Sequence, residues 1–350
     1  MVHPRVLRAM AAPLVGHLDP YFIGIMNRVQ ELLRSTFETK NQLTIPISGT
    51  GSAGMEAAVA NIVELGDSVL ILINGYFGHR MADMARRYGG DVQIITRPWG
   101  DIFTPADVKE ALNDHPANIV GVVHAETSTG ALQPLDEIAE IVHAQGGILV
   151  VDAVTSLGGV PVRVDKVGID ICYSGTQKCL SCPPGLAPLT LGARALEVVK
   201  KRKTPVANWY LDLTLVRKYW GSERTYHHTA PISMNYALYE ALRLVAEEGL
   251  DNRWERHRRN AEFLWEGLED LGLTLHVPQK NRLASLTTVR VPGKCNEAEV
   301  RRRLLEEYNI EISAGIGELA GKVWRIGLMG FSSRRENVLL LLSALKRILH

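Results

Sequence analysis

The run Tyr173-Ser174-Gly175-Thr176-Gln177-Lys178 carries a lysine, and Asp152 stands 26 residues before it. The stretch Ile148-Leu149-Val150-Val151-Asp152 reads as a buried parallel strand ending in a carboxylate, and Ile169–Tyr173 as a second strand delivering the lysine. An acid at one strand end and a lysine just past another suit pyridoxal phosphate (PLP) chemistry. The lysine forms a Schiff base with the cofactor, and the aspartate keeps the pyridinium nitrogen protonated so that the ring can accept electrons. Singly, each residue would read as a solvated charge or a helix cap. Jointly, at strand ends, they do not.

A glycine loop adds an anion site. The strand at 43–47 runs into Ser48-Gly49-Thr50-Gly51-Ser52-Ala53-Gly54 and then an apolar helix. Gly49, Gly51 and Gly54 spell the dinucleotide fingerprint GxGxxG. A dinucleotide also needs an acid at the end of the next strand. That strand, Val69–Ile73, ends in Asn74-Gly75, and Asp67 precedes it. A single phosphate at the helix start fits better than a pyrophosphate. Arg325 lies in the apolar run Val323–Met329 and there wants an anionic partner, because buried charge is costly.

These residues need a scaffold, and the pattern supplies one. Short apolar runs at 43–47, 69–73, 92–95, 119–123, 148–152, 169–173 and 186–191 alternate with helical patterns at 54–64, 76–89, 105–113 and 134–145. Such alternation predicts an α/β fold with a mainly parallel seven-stranded sheet, and ligands outside the strands' carboxyl ends. Residues 193–232 read as irregular, followed by helices at 233–248 and 251–271. Strand 285–291, helix 296–308, strand 323–328 and helix 334–349 then suggest a smaller α+β unit. The expected division is a large cofactor-binding domain at 1–248, including the N-terminal segment, and a small domain at 249–350.

Composition excludes several classes. The net charge is +1 and charged residues are 22%, so no nucleic-acid footprint is visible. No uncharged apolar run reaches a membrane span, and no signal peptide is visible. Cys179 and Cys182 have CxxC spacing, but a second such pair is absent. With Cys172 and Cys295 they read as small hydrophobes rather than metal ligands. His227 and His228 are adjacent, and adjacent residues rarely converge on one ion. The expectation is a cytoplasmic protein without metal.

Several strings together resemble one family: Ile47-Ser-Gly-Thr-Gly-Ser52, Asn74-Gly-Tyr-Phe-Gly78, His124-Ala-Glu-Thr-Ser-Thr-Gly130, Leu149-Val-Val-Asp-Ala-Val-Thr-Ser-Leu-Gly-Gly159, Tyr173–Lys178, Tyr226-His-His-Thr229 and Val323-Trp-Arg-Ile-Gly-Leu328. The chain resembles the class V, fold type I PLP-dependent aminotransferases, in the alanine:glyoxylate and serine:pyruvate branch, over nearly its whole length. The resemblance implies that Lys178 is the Schiff-base lysine and proton carrier, with Asp152 as pyridinium partner and Val154 on one ring face. Phe77 takes the stacking position, where many relatives have Trp. Thr50, Gly51 and Ser52 match the phosphate loop, although some relatives carry His at the Ser52 position. Gln177 matches a phosphate-side donor and Thr127 a hydroxyl beside the ring. Tyr226 and Thr229 match residues that reach the neighbouring subunit's phosphate, which implies a homodimer with shared active sites. Arg325 matches the arginine that grips the substrate carboxylate.

Relatives begin with a Gly-Pro-rich segment that lines the pocket. This chain starts at Met1-Val2-His3-Pro4, just past where that segment would lie; either the start is placed late or the chain is short, and in the second case part of the pocket wall is expected to be missing. The expected reaction moves an amino group from alanine or serine to glyoxylate or pyruvate. A ureidoglycine or hydroxykynurenine transaminase, and a cysteine desulfurase using Cys295, are the alternatives within PLP chemistry. A nicotinamide-dependent dehydrogenase rests on the glycine triplet alone. A scaffold protein without activity would have to explain why Asp152, Lys178 and Arg325 are intact.

Overall fold

The computed structural model describes residues 1–349. In chain order the strands are β1 (Leu43–Ser48), β2 (Ser68–Ile73), β3 (Asp91–Thr96), β4 (Ile119–Val123), β5 (Ala125–Glu126), β6 (Ala131–Leu132), β7 (Ile148–Asp152), β8 (Ile171–Tyr173), β9 (Leu186–Leu191), β10 (Leu286–Arg290), β11 (Ser313–Ala314) and β12 (Val323–Gly327). The helices are α1 (Pro4–Met10), α2 (Pro20–Phe37), α3 (Gly51–Ile62), α4 (Tyr76–Arg87), α5 (Pro105–Asp114), α6 (Asp136–Ala144), α7 (Val164–Val167), α8 (Ala193–Lys200), α9 (Leu213–Trp220), α10 (Ile232–Glu248), α11 (Leu250–Asp270), α12 (Glu297–Tyr308) and α13 (Arg335–Leu349).

Seven strands form one sheet in the order β1-β9-β8-β7-β4-β2-β3. Strand β9 runs antiparallel to both its neighbours, and the other strands run parallel to one another. The link from β8 to β9 contains no helix, so the chain turns straight back. Strands β4 and β7 are buried along their whole length. Their continuous Ile, Leu and Val runs suit a sheet covered on both faces. Leu149 and Val151 are wholly buried, and each such side chain contributes about 1.5–3 kcal/mol.

Local signals set the helix starts. Thr104 and Asp107 form a capping box with Pro105 in the first turn of α5. Asp19 caps α2 just before Pro20. Helices α8 and α9 lie within the stretch expected to be irregular. Each spans only eight residues, too short for its periodicity to stand out among the aromatic residues around it. Asp212 starts α9 by accepting from the Thr214 N–H.

A second, antiparallel sheet has the order β10-β12-β11. Its own core includes Leu264, Val289, Trp324, Ile326, Val338 and Leu341. The β5–β6 hairpin joins this unit to the large sheet. At its turn Gly130 has φ +80°, and a Cβ there would stand 2.9 Å from the Leu286 carbonyl oxygen. The Leu283 N–H donates to the Gly130 carbonyl at 2.9 Å. A side chain at this position would therefore be both strained and obstructed.

Candidate active site

The carboxyl ends of the parallel strands form the floor of a cavity of about 230 Å³. Thr50 reaches it from the β1–α3 link, Gly51 and Ser52 from the first turn of α3, Phe77 from α4 and Thr127 from the β5–β6 turn. Asp152 and Val154 come from the end of β7, and Gln177 and Lys178 from the β8–β9 link. Met55, Arg80, Val123 and Ala125 complete the lining. Sequence reasoning singled out none of these four.

Asp152 is 3% exposed. Its Oδ1 accepts from the Val154 N–H at 2.8 Å, and Oδ2 from the Tyr173 hydroxyl at 2.9 Å. Burial pushes this carboxyl up to about 6, against the pull of those two donors. Lys178 Nζ makes no hydrogen bond or ion pair among the described residues. Burial holds its ammonium below the usual lysine range, and Arg325 adds repulsion that Cys179 and Asp152 oppose. A buried carboxylate and an unpaired amine thus share one small chamber.

The opposite contributions come from backbone. Thr50 caps α3 without a side-chain bond, and the N–H groups of Gly51 and Ser52 have no acceptor among the described residues. These are the free donors of a helix start. A Cβ on Gly51 would lie 3.1 Å from Val154 Cγ2, so glycine leaves the cavity open beside that wall.

Glu126 is buried beneath the site and takes three donors. The Phe77 N–H reaches it at 3.1 Å, the Ser128 N–H at 3.0 Å and the Ser128 hydroxyl at 2.6 Å. The residue that precedes α4 in the cap position is Gly75, which offers no side chain, so Glu126 caps the helix from another segment. Burial pushes this carboxyl up to about 7. The string containing Glu126 was visible in the sequence, but this cross-chain cap was not.

Arg325 projects from β12 toward the same region. Its Nε donates to the Ala314 carbonyl at 2.7 Å and Nη1 to the Thr127 carbonyl at 3.1 Å. No carboxylate pairs with it among the described residues, and burial holds it below the usual arginine range, with Glu126 opposing. The Thr127 hydroxyl bonds that of Thr155.

Tyr226 and Thr229 do not line the cavity. Both are exposed, Tyr226 by 59%. Their loop is tied down by the histidines between them. His228 Nε2 bonds Ser48 Oγ at 2.7 Å, and the two Nδ1 atoms of His227 and His228 lie 2.8 Å apart. Trp209 stacks on His227 with ring centroids 4.5 Å apart. Burial, together with His227 and His17, pushes His228 down to about 4. Cys172, Cys179 and Cys182 are buried, and Cys295 is partly so.

This donor set fits PLP. It offers a carboxylate for a ring nitrogen, an amine for an aldehyde, apolar walls for a flat ring and free N–H groups for a phosphate. It offers no acid where a dinucleotide ribose would need one.

The comparisons agree with this chemistry. The sequence matches the aminotransferase class-V family over residues 8–336. It is 42% identical to the (S)-ureidoglycine--glyoxylate transaminase of Bacillus subtilis, across 99% of this chain and 88% of that protein. It is 41% identical to the alanine--glyoxylate aminotransferase of Rattus norvegicus, across 99% of this chain and 84% of that protein. The solved alanine--glyoxylate aminotransferase of Nostoc sp. has a TM-score of 0.98 and 56% identity, covering 100% of this chain and 93% of that one. The chain belongs to the class-V aminotransferases, with the type I fold and pyridoxal phosphate as cofactor.

Proposed function

We propose that this protein moves the amino group of a small amino acid, alanine or serine, to glyoxylate or pyruvate. The observation that carries the reading is Lys178 Nζ, unpaired in a chamber whose floor is the Asp152 carboxylate. When bound, pyridoxal phosphate supplies the electron sink that makes the substrate Cα–H acidic. Lys178 holds the cofactor and, once displaced, takes the Cα proton on Nζ and returns it. Burial favours the neutral amine that this step needs. Asp152 holds a proton on the ring nitrogen. Val154 and Phe77 confine the ring, Thr127 lies beside it, and Thr50, Gly51, Ser52 and Gln177 receive the phosphate. Arg325, without a carboxylate partner among the described residues, grips that of the substrate and fixes its orientation.

The working unit in this reading is a homodimer. Tyr226 and Thr229 are exposed, near the exposed aromatic rings of Trp209 and Tyr210. Their placement suits delivery to a second copy's phosphate site. The large unit, to about residue 248, carries the cofactor residues, and the smaller unit from about 249 carries Arg325. The free cysteines suit a reducing cytoplasm. No helix among the described residues is long and apolar enough to cross a membrane.

Half-reactions test this directly. The holoenzyme with L-alanine and no oxo acid should release about one pyruvate per site and stop. Adding glyoxylate should then yield glycine and restore the first step. L-serine and ureidoglycine run in parallel rank the donors. Release of sulfide from L-cysteine without any oxo-acid product would overturn the reading.

A further inference from the structure

Arg80 lies one helical turn past Phe77 on α4, and its side chain borders the cofactor cavity. Its Nη1 donates to Ser52 Oγ at 2.9 Å. Its guanidinium carbon stands 4.8 Å from the Phe77 ring centroid and 5.4 Å from that of Tyr76. No Asp or Glu pairs with it among the described residues. No direct ion pair among the described residues offsets the desolvation of this half-buried guanidinium; Asp152, whose carboxyl it helps to hold down, lies in the same cavity lining without a bond to it.

The residue it bonds gives the direction. Ser52 lies in the first turn of α3, and its N–H, with that of Gly51, has no acceptor among the described residues. A phosphate monoester carries between one and two negative charges near neutral pH. A helix start offers only about half a positive charge. Lys178 is committed to the carbonyl end of the cofactor, so among the cavity-lining side chains Arg80 is the cation left to balance the phosphate.

We propose that Arg80 supplies the charge that balances the phosphate of the cofactor, its guanidinium held in place by Ser52 and the Phe77 ring. The proposal rests on the pyridoxal phosphate reading of the site. It makes Arg80 a discriminator between the phosphorylated cofactor and its dephosphorylated form, a property that packing alone would not give.

The test compares pyridoxal phosphate with pyridoxal, which lacks the phosphate. Full-length protein stripped of cofactor is titrated with each by equilibrium dialysis, as wild type, Arg80→Gln and Arg80→Lys. Loss of a charged hydrogen bond should weaken pyridoxal phosphate roughly ten- to a hundredfold in Arg80→Gln, with pyridoxal unchanged. Arg80→Lys should recover much of the loss. Inorganic phosphate should compete with the cofactor in wild type and less well in Arg80→Gln. Should that variant fail to fold, Arg80→Met keeps the aliphatic packing and removes the charge. Equal weakening of both compounds would make Arg80 a packing residue and overturn the proposal, as would undiminished affinity for pyridoxal phosphate. Wild type that takes up neither compound would sink the cofactor reading, and this proposal with it.

Discussion

The Tyr173 hydroxyl donates to Asp152 Oδ2 at 2.9 Å, and the two residues are register partners at the ends of adjacent parallel strands. The strand pairing therefore builds the support for the carboxylate. Tyr173→Phe removes one of its two donors and should raise the Asp152 pKa further above about 6. Cofactor affinity near pH 7 should fall by about 10- to 100-fold, for a charged hydrogen bond of roughly 1.5–3 kcal/mol. Equilibrium dialysis across pH 5–8 checks this. Identical affinity profiles for the two proteins would contradict it.

Glu126 gives a signed pH dependence. Its folded-state pKa is raised from 4.5 to about 7, so the stability it contributes is full below pH 4.5 and is lost as pH rises through about 7. Buried His124 and His257, lowered to about 4 and about 3, act in the opposite sense at acid pH, so only the difference from a variant is informative. Glu126→Gln cannot ionise. Wild type should lose on the order of 2–3 kcal/mol relative to this variant between pH 4.5 and 8. Parallel denaturant titrations at each pH measure the gap, and a gap constant with pH would refute the assignment.

Lys178→Ala should lower transamination by roughly a thousandfold or more, since in the proposed reading it removes both the attachment point and the proton carrier. The fold should survive, because Nζ has no partner among the described residues to lose. Borohydride treatment followed by mass analysis should label wild type at Lys178 and leave the variant unlabelled.

Arg325→Ala removes the bonds to Ala314 and Thr127 and, in the proposed reading, the grip on the substrate carboxylate. A fall in kcat/KM for alanine of about a hundredfold is expected, corresponding to roughly 2–3 kcal/mol. Arg325→Lys keeps the charge without the fork and should fall in between. A change confined to thermal stability, with kcat/KM intact, would place the residue outside the substrate site.

The proposed sharing of active sites between two copies can be tested genetically. Lys178→Ala and Thr229→Ala chains co-expressed as a mixed dimer should regain activity if Thr229 serves the partner subunit. One of the two sites then has both residues intact. If Thr229 acted within its own chain, no such site would exist and the mixture would stay inactive.

The seven strand runs were legible because each is a short apolar segment bounded by polar turns. Asp152 and Lys178 were legible because strand ends are where the sequence pattern changes. Strand β9's direction was not, since the β8–β9 link shows its missing helix only by length. Arg80 carried a signal that sequence reasoning passed over: it stands three residues after Phe77, on the same helical face. Tyr173 was quoted as part of a motif, yet its bond to Asp152 depends on the register of two strands. Glu126 as a cap for α4 had no local signature at all, because donor and acceptor lie 49 residues apart.

The Thr127 carbonyl and the Arg325 guanidinium that binds it are 198 residues apart. During synthesis the turn leaves the ribosome long before its partner exists. At about 5–20 residues per second, that carbonyl waits roughly 10–40 s for the arginine. The nascent sheet can already be complete in that interval, since its last strand ends at Leu191. The contact between Arg325 and Thr127 therefore matures after the sheet that carries Asp152, and a ribosome stalled between the two would hold a chain with its sheet formed and, in the proposed reading, no means of seizing an amino acid.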